Sequence, residues 1–237
     1  IINNIEKVIV GKRRSIELVL ISLLGKGHVL IEDMPGVGKT SLAASFAKSV
    51  DCSFKRIQFT PDIMPSDIAG FSMYNQKSGE FEYVSGAVMS QFVLADEINR
   101  TSPKTQSSLL EVMEENQVTI DGKVHKVPSP FIVMATQNPI EYLGTYPLPE
   151  AQLDRFFMKI SLGYPDEKDE LEILTRFNLD SPLDDLRPSA NAEDIISLQD
   201  KVPHVFTEAS VNRYIVEIVR KTRESSFLTL GASPRAS

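Results

Sequence analysis

The sequence predicts an α/β fold in which a parallel β-sheet is covered by helices. Two observations lead to this class. Three apolar runs, at 28–31, 92–95 and 131–135, show no alternation with polar residues, which is typical of strands buried on both faces. Helical segments lie between the apolar runs, so strands and helices alternate along the chain. Further strands are predicted at 54–59 and, more weakly, at 157–161.

The first predicted element is an amphipathic helix. Basic residues 12–14 precede a mostly apolar run at 16–24, an order that resembles a secretory signal peptide. Glu17 interrupts this run and Lys26 follows it closely, without a small-residue cleavage pattern. We therefore interpret the segment as a buried helix of a cytoplasmic protein. No apolar run approaches the ~20 residues that span a bilayer, so we expect no membrane insertion.

Two insertions interrupt the alternation of strands and helices. Residues 71–84 carry β-type side chains around Lys77-Ser78-Gly79. Residues 118–127 carry them around Asp121-Gly122, a pair that suits a type I′ turn. We predict a β-hairpin in each segment, with a helix at 107–116 before the second one.

After Pro165 the β-type pattern stops. Three segments of helical character follow, at 166–177, 192–201 and 207–222. We therefore predict an α/β core over residues 1–164 and a smaller helical subdomain over residues 165–237.

Composition narrows the classes of function. The 237 residues include 25 Lys and Arg against 32 Asp and Glu, and the formal net charge of -7 argues against broad coating of nucleic acid. The single cysteine, Cys52, excludes an internal disulfide framework and a cysteine-rich zinc module. His28, His125 and His204 lack cysteine or acidic partners at metal-ligand spacing. We predict structural or surface positions for these histidines.

A phosphate-binding pattern follows the first predicted strand. Asp33 to Thr40 reads Asp-Met-Pro-Gly-Val-Gly-Lys-Thr and leads into a predicted helix at 40–50. Phosphate oxygens need closely approaching backbone N–H groups, and glycines present these groups without an obstructing Cβ. In such a loop Lys39 reaches the β- and γ-phosphates and Thr40 places its hydroxyl on Mg²⁺. The alternative is a Gly/Pro turn with an exposed lysine, but the flanking strand and helix favour a nucleotide site.

We expect the nucleotide to contact the loop and the start of the helix that follows. The predicted contact residues are Pro35, Gly36, Val37, Gly38, Lys39, Thr40 and Ser41. The full pattern has a glycine where this chain has Asp33. This departure removes backbone freedom and sets a carboxylate near the phosphates, which predicts weaker nucleotide affinity.

An acidic pair, Asp96-Glu97, ends the predicted strand at 92–95. Acids at the carboxyl end of a parallel strand face the ligand crevice. We predict that Asp96 holds Mg²⁺ through its water shell and that Glu97 polarises the water that attacks the γ-phosphorus. Such a base separates an ATP hydrolase from a small-molecule kinase or a GTPase. An acidic pair after an apolar run is, by itself, usually just the solvated end of a strand. Here the pair follows Lys39 with two βα steps between, which favours a role in ATP hydrolysis.

Five motifs, in order over nearly the whole chain, resemble those of the MoxR family of AAA+ ATPases. They are 33–40, 94–100 (Leu-Ala-Asp-Glu-Ile-Asn-Arg), 135–139 (Ala-Thr-Gln-Asn-Pro), 148–156 (Leu-Pro-Glu-Ala-Gln-Leu-Asp-Arg-Phe) and 231–235 (Gly-Ala-Ser-Pro-Arg). The resemblance implies an ATPase that uses ATP and Mg²⁺, with a P-loop NTPase core, two hairpin insertions and a helical lid.

The resemblance also implies roles for three polar residues. Asn138 is similar to the sensor-1 residue, whose amide orients the attacking water, although an asparagine before proline is also a common turn former. Arg155 is similar to the arginine finger, which enters a neighbouring subunit's site and is worth ~10³–10⁵ in rate in comparable reactions. The alternative for Arg155 is an ion pair with Asp154 or Glu150. Arg235 is similar to the sensor-2 arginine, which couples the γ-phosphate to the lid in cis or in trans.

Three further regions match the family pattern. Val10-Gly11 corresponds to the segment that lines the adenine pocket, although this pattern is weak. The predicted hairpins fall where the family carries its helix-2 insert and its hairpin before sensor 1, which in related motors reach the pore and the substrate. The alternative is that both are surface hairpins without a role in substrate binding. In the family the lid continues beyond Arg235, so we expect a partial lid here, which leaves stable ring formation by this chain open.

The resemblance therefore implies a ring, a hexamer, that couples ATP hydrolysis to chaperone-like remodelling or maturation of partner proteins, including proteins with a von Willebrand factor A domain. Two alternatives stay open. A nucleic-acid-translocating motor predicts basic hairpin tips, for which Lys77, Lys123 and Lys126, beside Glu80 and Glu82, give weak support. A nucleotide-sensing switch that hydrolyses slowly is favoured by Asp33.

Overall fold

The structure is a computed structural model that describes residues 1–139, 144–176 and 181–236. The chain forms two compact units, Ile1–Gln199 and Asp200–Ser237. The domain boundary after residue 164 stays a prediction. Phe177, the predicted last residue of one helix, lies outside the described residues.

A five-stranded parallel sheet forms the centre of the first unit. Its strands are β1 (Val29–Glu32), β2 (Phe54–Gln58), β5 (Phe92–Asp96), β8 (Ile132–Gln137) and β9 (Met158–Ile160). Their order across the sheet is β2-β5-β8-β1-β9, and all neighbouring pairs are parallel. Each strand agrees with a predicted one to within one or two residues at either end. The predicted α/β class is confirmed.

Helices surround this sheet and continue into the second unit. They are α1 (Ile2–Ile5), α2 (Arg13–Leu24), α3 (Lys39–Ser49), α4 (Pro65–Ala69), α5 (Pro103–Glu115), α6 (Glu150–Leu153), α7 (Glu167–Arg176), α8 (Ala192–Lys201) and α9 (Ala209–Glu224). The apolar face predicted for α2 is confirmed, because Ile16, Val19 and Leu23 are fully buried. Helix α5 begins where the Ser102 hydroxyl accepts a hydrogen bond from the Thr105 amide.

The core lies on both faces of the sheet, because neighbouring residues of a strand point to opposite sides. In β1, Val29 and Ile31 belong to a cluster with α2 and α3, whereas Leu30 belongs to a second cluster with α4 and α5. The edge strand β2 differs from the central strands: Ile57 is buried, while Lys55 and Arg56 are exposed.

Both predicted hairpins are present. The first hairpin pairs β3 (Gly70–Asn75) with β4 (Glu80–Ser85), and the second pairs β6 (Gln117–Ile120) with β7 (Lys123–Lys126). Asp121 and Gly122 have φ values of 50° and 76°, as a type I′ turn requires at both central positions. The rings of Tyr83 and His125 stack with centroids 3.9 Å apart, so the two hairpins are in contact.

A buried histidine ties the start of the sheet to α5. His28 is 4% exposed. Its Nδ1 accepts a hydrogen bond from the Val133 amide at 3.0 Å, and Nε2 lies 3.0 Å from the Met113 carbonyl. The ring is therefore neutral with its proton on Nε2. Burial lowers the pKa of His28 from 6.5 to about 4, and the structural role predicted for this residue is confirmed.

The pKa of His28 makes folding stability depend on pH. Between pH 6.5 and pH 4 the unfolded chain binds a proton at His28 that the folded chain excludes, so stability is complete above this window and falls through it. We expect the free energy of unfolding in urea to fall by about 2 kcal/mol from pH 7 to pH 5 through this group. His28→Gln should flatten that dependence, whereas His125→Gln should retain it; equal pH profiles for wild type and His28→Gln would contradict the assignment.

The second unit is organised around α9. The Thr222 hydroxyl accepts a hydrogen bond from the Ala232 amide at 2.9 Å, and Arg223 Nε donates to the Ala232 carbonyl at 2.8 Å. Residues 231–235 therefore fold against the carboxyl-terminal end of α9. Within the described ranges, no helix combines the length and the apolar character needed to cross a bilayer.

Candidate active site

Strand order brings three predicted motifs to one edge of the sheet. The phosphate loop, residues 33–38, follows β1, while Asn138 follows β8 and Asp96 ends β5. Strand β8 lies between β1 and β5, and the parallel strands end on the same side. The loop, the acidic pair and Asn138 therefore share the crevice at the carboxyl ends of the strands.

The phosphate loop has the backbone form that the sequence predicts. Gly36 and Gly38 have φ values of 87° and 88°, and a Cβ at either position would meet no atom within 4 Å. Open space thus lies beside a loop that leads into the amino terminus of α3, where backbone N–H groups favour anions. Lys39 is the first residue of α3, and its Nζ donates to the Asp33 carbonyl at 2.8 Å. These features fit a polyphosphate.

The side chain of Asp33 points elsewhere than the sequence analysis expected. Its carboxylate accepts hydrogen bonds from the Ser161 hydroxyl and from the Leu162 and Gly163 amides, beyond the end of β9. The expectation of a carboxylate set near the phosphates is thus corrected, because three donors from another segment hold it. The Asp33 carboxylate therefore gives no electrostatic reason for weaker nucleotide affinity.

The acidic pair is held by polar side chains from β2 and β8. Asp96 Oδ1 accepts from the Thr136 hydroxyl at 2.6 Å, and Oδ2 accepts from Arg56 Nη2 at 2.6 Å. Glu97 has a left-handed backbone (φ 58°), and its amide donates to the Thr136 hydroxyl at 2.8 Å. Glu97 Oε2 accepts from Gln58 Nε2 at 2.6 Å. Both carboxylates are therefore fixed in direction.

Arg56, Gln58 and Thr136 are site residues that the sequence analysis missed. Arg56 and Gln58 lie on β2, which pairs with β5 so that Gln58 is opposite Asp96. The sequence shows only that Arg56 and Gln58 lie near the end of a predicted strand. That position points to the active site only when the strand order, with β2 beside β5, is known.

Arg155 lies at the opposite end of the sheet from the phosphate loop. The Phe157 amide donates to the carbonyl of His28, just before β1 begins. The guanidinium of Arg155 pairs with Glu114 in the last turn of α5, with Nε and Oε2 3.0 Å apart. The four residues of β1, roughly 13 Å of strand, separate this end from the loop. The alternative pairs with Asp154 or Glu150 are replaced by the pair with Glu114.

The remaining predicted residues occupy other places. Asn138 is 8% exposed directly after β8. Val10 is buried, and Gly11 has a φ of 68° with the Asp169 carboxylate packed against it. Arg235 belongs to the second unit, where its amide donates to the Ser233 hydroxyl at 3.1 Å; its sensor-2 role stays a prediction.

The model of the ATPase family associated with various cellular activities (AAA) matches residues 28–158, more than half of the chain. The chain belongs to this AAA ATPase family. It is 46% identical to the chaperone MoxR1 of Mycobacterium tuberculosis, over 98% of this chain and 64% of that protein. It is 32% identical to the protein MoxR of Methylorubrum extorquens, over 68% of this chain and 48% of that one. The predicted MoxR-type AAA ATPase is confirmed.

Two further proteins match all or nearly all of this chain. YeaC of Bacillus subtilis is 56% identical over 236 residues, which cover all of this chain and 74% of YeaC. The crystal structure of a protein from Cytophaga hutchinsonii superposes with a TM-score of 0.87 at 42% identity, over 99% of this chain and 74% of that one. This chain covers about three quarters of the length of these two proteins and less than two thirds of the length of MoxR1.

Proposed function

We propose that this MoxR-type AAA ATPase hydrolyses ATP with Mg²⁺ in a hexameric ring and uses the energy to remodel partner proteins. One observation supports the ring above all: Arg155 lies at the amino ends of the strands, and the phosphate loop lies at their carboxyl ends. An arginine finger at Arg155 therefore serves the site of a neighbouring subunit rather than its own.

Within one site, each residue has a defined part. ATP with Mg²⁺ supplies the γ-phosphate and the charge that polarises its oxygens. Lys39 leaves the Asp33 carbonyl and binds the β- and γ-phosphates, with the amides of residues 35–41 around them. Thr40 and Asp96 would hold Mg²⁺, which would supply positive charge beside the phosphate oxygens.

Glu97 acts as the general base in the proposed reaction. Its carboxylate takes a proton from the attacking water, which Asn138 orients from the neighbouring strand β8. In the structure Glu97 Oε2 accepts a hydrogen bond from Gln58 and pairs with Arg100 at 3.3 Å.

The first hairpin favours polypeptide over nucleic acid as the substrate. Four of its large apolar side chains are about half exposed or more: Phe71, Met73, Tyr74 and Phe81. Glu80 and Glu82 lie among them on β4, and carboxylates repel a phosphate backbone. Apolar contacts with exposed segments of a client suit this surface. The relative MoxR1 is named a chaperone, and cytoplasmic clients with von Willebrand factor A domains remain part of the proposal.

ATP turnover in the presence of two probes tests this proposal. We expect a permanently unfolded polypeptide, reduced and carboxymethylated lactalbumin, to stimulate phosphate release several-fold, and single-stranded DNA to leave it unchanged. EDTA should abolish turnover by removing Mg²⁺. Phe81→Ser should lose the stimulation and keep the basal rate, because Phe81 is 68% exposed on the hairpin.

Ile21→Ser is the matched control, since Ile21 is a half-exposed apolar residue on α2, away from the hairpins. Stimulation by DNA alone would replace the proposal with the nucleic-acid motor. Turnover that stays negligible with either probe and at every protein concentration would favour the nucleotide-sensing switch.

A further inference from the structure

The carboxylate of Asp33 closes the end of the β1–β9 ladder. The last residue pair of this ladder joins Ile31 to Ile160. Beyond it, the Leu162 and Gly163 amides donate to Asp33 Oδ2 at 2.5 and 3.0 Å, and the Ser161 hydroxyl donates at 3.1 Å. Asp33 is 7% exposed, so these hydrogen bonds are shielded from water. One side chain of the phosphate loop thus holds the start of the β9–α7 connection, residues 161–166.

The main chain of the same residue holds the phosphate-binding lysine. Lys39 Nζ donates to the Asp33 carbonyl at 2.8 Å. A lysine that binds phosphate has to leave this carbonyl, because its ammonium moves toward the ligand. Asp33 therefore contacts Lys39 through its backbone and the β9–α7 connection through its side chain.

The β9–α7 connection and the first turn of α7 lie against Gly11 and Lys12, at and beside the segment predicted to line the adenine pocket. Lys12 Nζ donates to the Tyr164 carbonyl at 2.8 Å, next to Gly11. The Asp169 carboxylate, in α7, packs against Gly11 so closely that a Cβ there would lie 1.7 Å from its oxygen. The connection thus contacts Asp33 at one end and, at the other, Lys12 beside the predicted adenine segment.

We propose that Asp33 is a positioning residue that transmits the state of the phosphate loop to the β9–α7 connection. This inference rests on the proposed binding of phosphate by Lys39 and the loop. It assigns a purpose to the residue that departs from the glycine of the full motif: a glycine satisfies the loop, but it leaves the Leu162 and Gly163 amides without their acceptor. Bound nucleotide stabilises the loop, and Asp33 carries this stabilisation to the Leu162 and Gly163 amides that its carboxylate holds.

Amide hydrogen exchange measured by NMR on the full chain tests the proposal. In the wild type we expect saturating ADP with Mg²⁺ to slow exchange at Leu162 and Gly163 by about tenfold or more, along with Gly36 and Gly38. In Asp33→Gly the loop amides should still respond to nucleotide. The Leu162 and Gly163 amides should exchange about tenfold faster than in the wild type and lose their response.

Two variants serve as controls. Asp33→Asn keeps an acceptor oxygen for the two amides and should retain the nucleotide response. Glu32→Gln alters a carboxylate beside the loop that bonds Gln137 and Lys159 instead of the connection, and it should also retain the response. The hydrogen bond from Lys159 lowers the pKa of Glu32, so the substitution removes a charge at neutral pH.

The result that overturns the inference is specific. In the wild type, nucleotide would slow exchange at Gly36 and Gly38 but not at Leu162 and Gly163. Alternatively, all four amides would still respond to nucleotide in Asp33→Gly. Loss of response at Gly36 and Gly38 in the wild type would instead refute the nucleotide-binding role of the loop, and with it this inference. Asp33→Ala, which also removes the carboxylate, replaces the glycine variant if that one does not fold.

Discussion

Glu97→Gln is expected to lower the rate of ATP hydrolysis by about 10²–10⁴-fold while ATP still binds. The amide keeps the shape of the side chain and an oxygen that accepts from Gln58, but it takes no proton from water. Phosphate release at saturating ATP measures the rate, and calorimetry with ATP and Mg²⁺ measures binding. A fall in kcat without a loss of affinity identifies an interaction made only in the transition state.

Glu111→Gln is the matched control for this substitution. Glu111 is an exposed carboxylate on α5, in the same unit and away from the carboxyl ends of the strands, so both kcat and affinity should stay at wild-type values. Equal rates for Glu97→Gln and the wild type would remove Glu97 from the chemistry.

Arg155→Ala is expected to lower the hydrolysis rate of the assembled protein by about 10³-fold, as removal of an arginine finger does in comparable enzymes. The reason is geometric, because Arg155 and the phosphate loop lie at opposite ends of the sheet in one chain. Mixing Arg155→Ala with Glu97→Gln should restore part of the rate, since an intact site of the first variant then meets an intact arginine of the second.

A matched substitution separates this effect from the loss of a surface charge. Arg13 is an exposed arginine that pairs with Glu6 and Glu17, and Arg13→Ala should keep the wild-type rate. Recovery of activity on mixing is the decisive readout, because loss of the pair with Glu114 affects each chain by itself. If the mixture stays as inactive as its parts while both variants assemble, Arg155 does not act in trans.

The fold was predictable because its signals are local. Apolar runs such as Phe92–Ala95 and Phe131–Ala135 have a composition that strands buried on both faces need. Asp121-Gly122 specifies a turn with two positive φ values, which few other residue pairs adopt. The phosphate loop was predictable for the same reason, since its glycines and lysine are consecutive in the chain.

The partners of the site residues were not predictable, because they depend on which strands become neighbours. Arg56 holds Asp96 only because β2 lies beside β5. The Asp33 carboxylate meets Leu162 because β9 lies beside β1, although the two residues are far apart in the sequence. Glu114 pairs with Arg155 in the same way, because α5 contacts the start of the sheet.

The charged residues of β2 have a consequence for association between molecules. An edge strand presents unpaired N–H and C=O groups, and another chain can extend the sheet by adding a strand there. Lys55 and Arg56 are exposed on this strand, Arg56 in an ion pair with Asp96, and charged side chains, lysine above all, disfavour such pairing on an edge strand. Addition of a strand from another chain at β2 is therefore disfavoured.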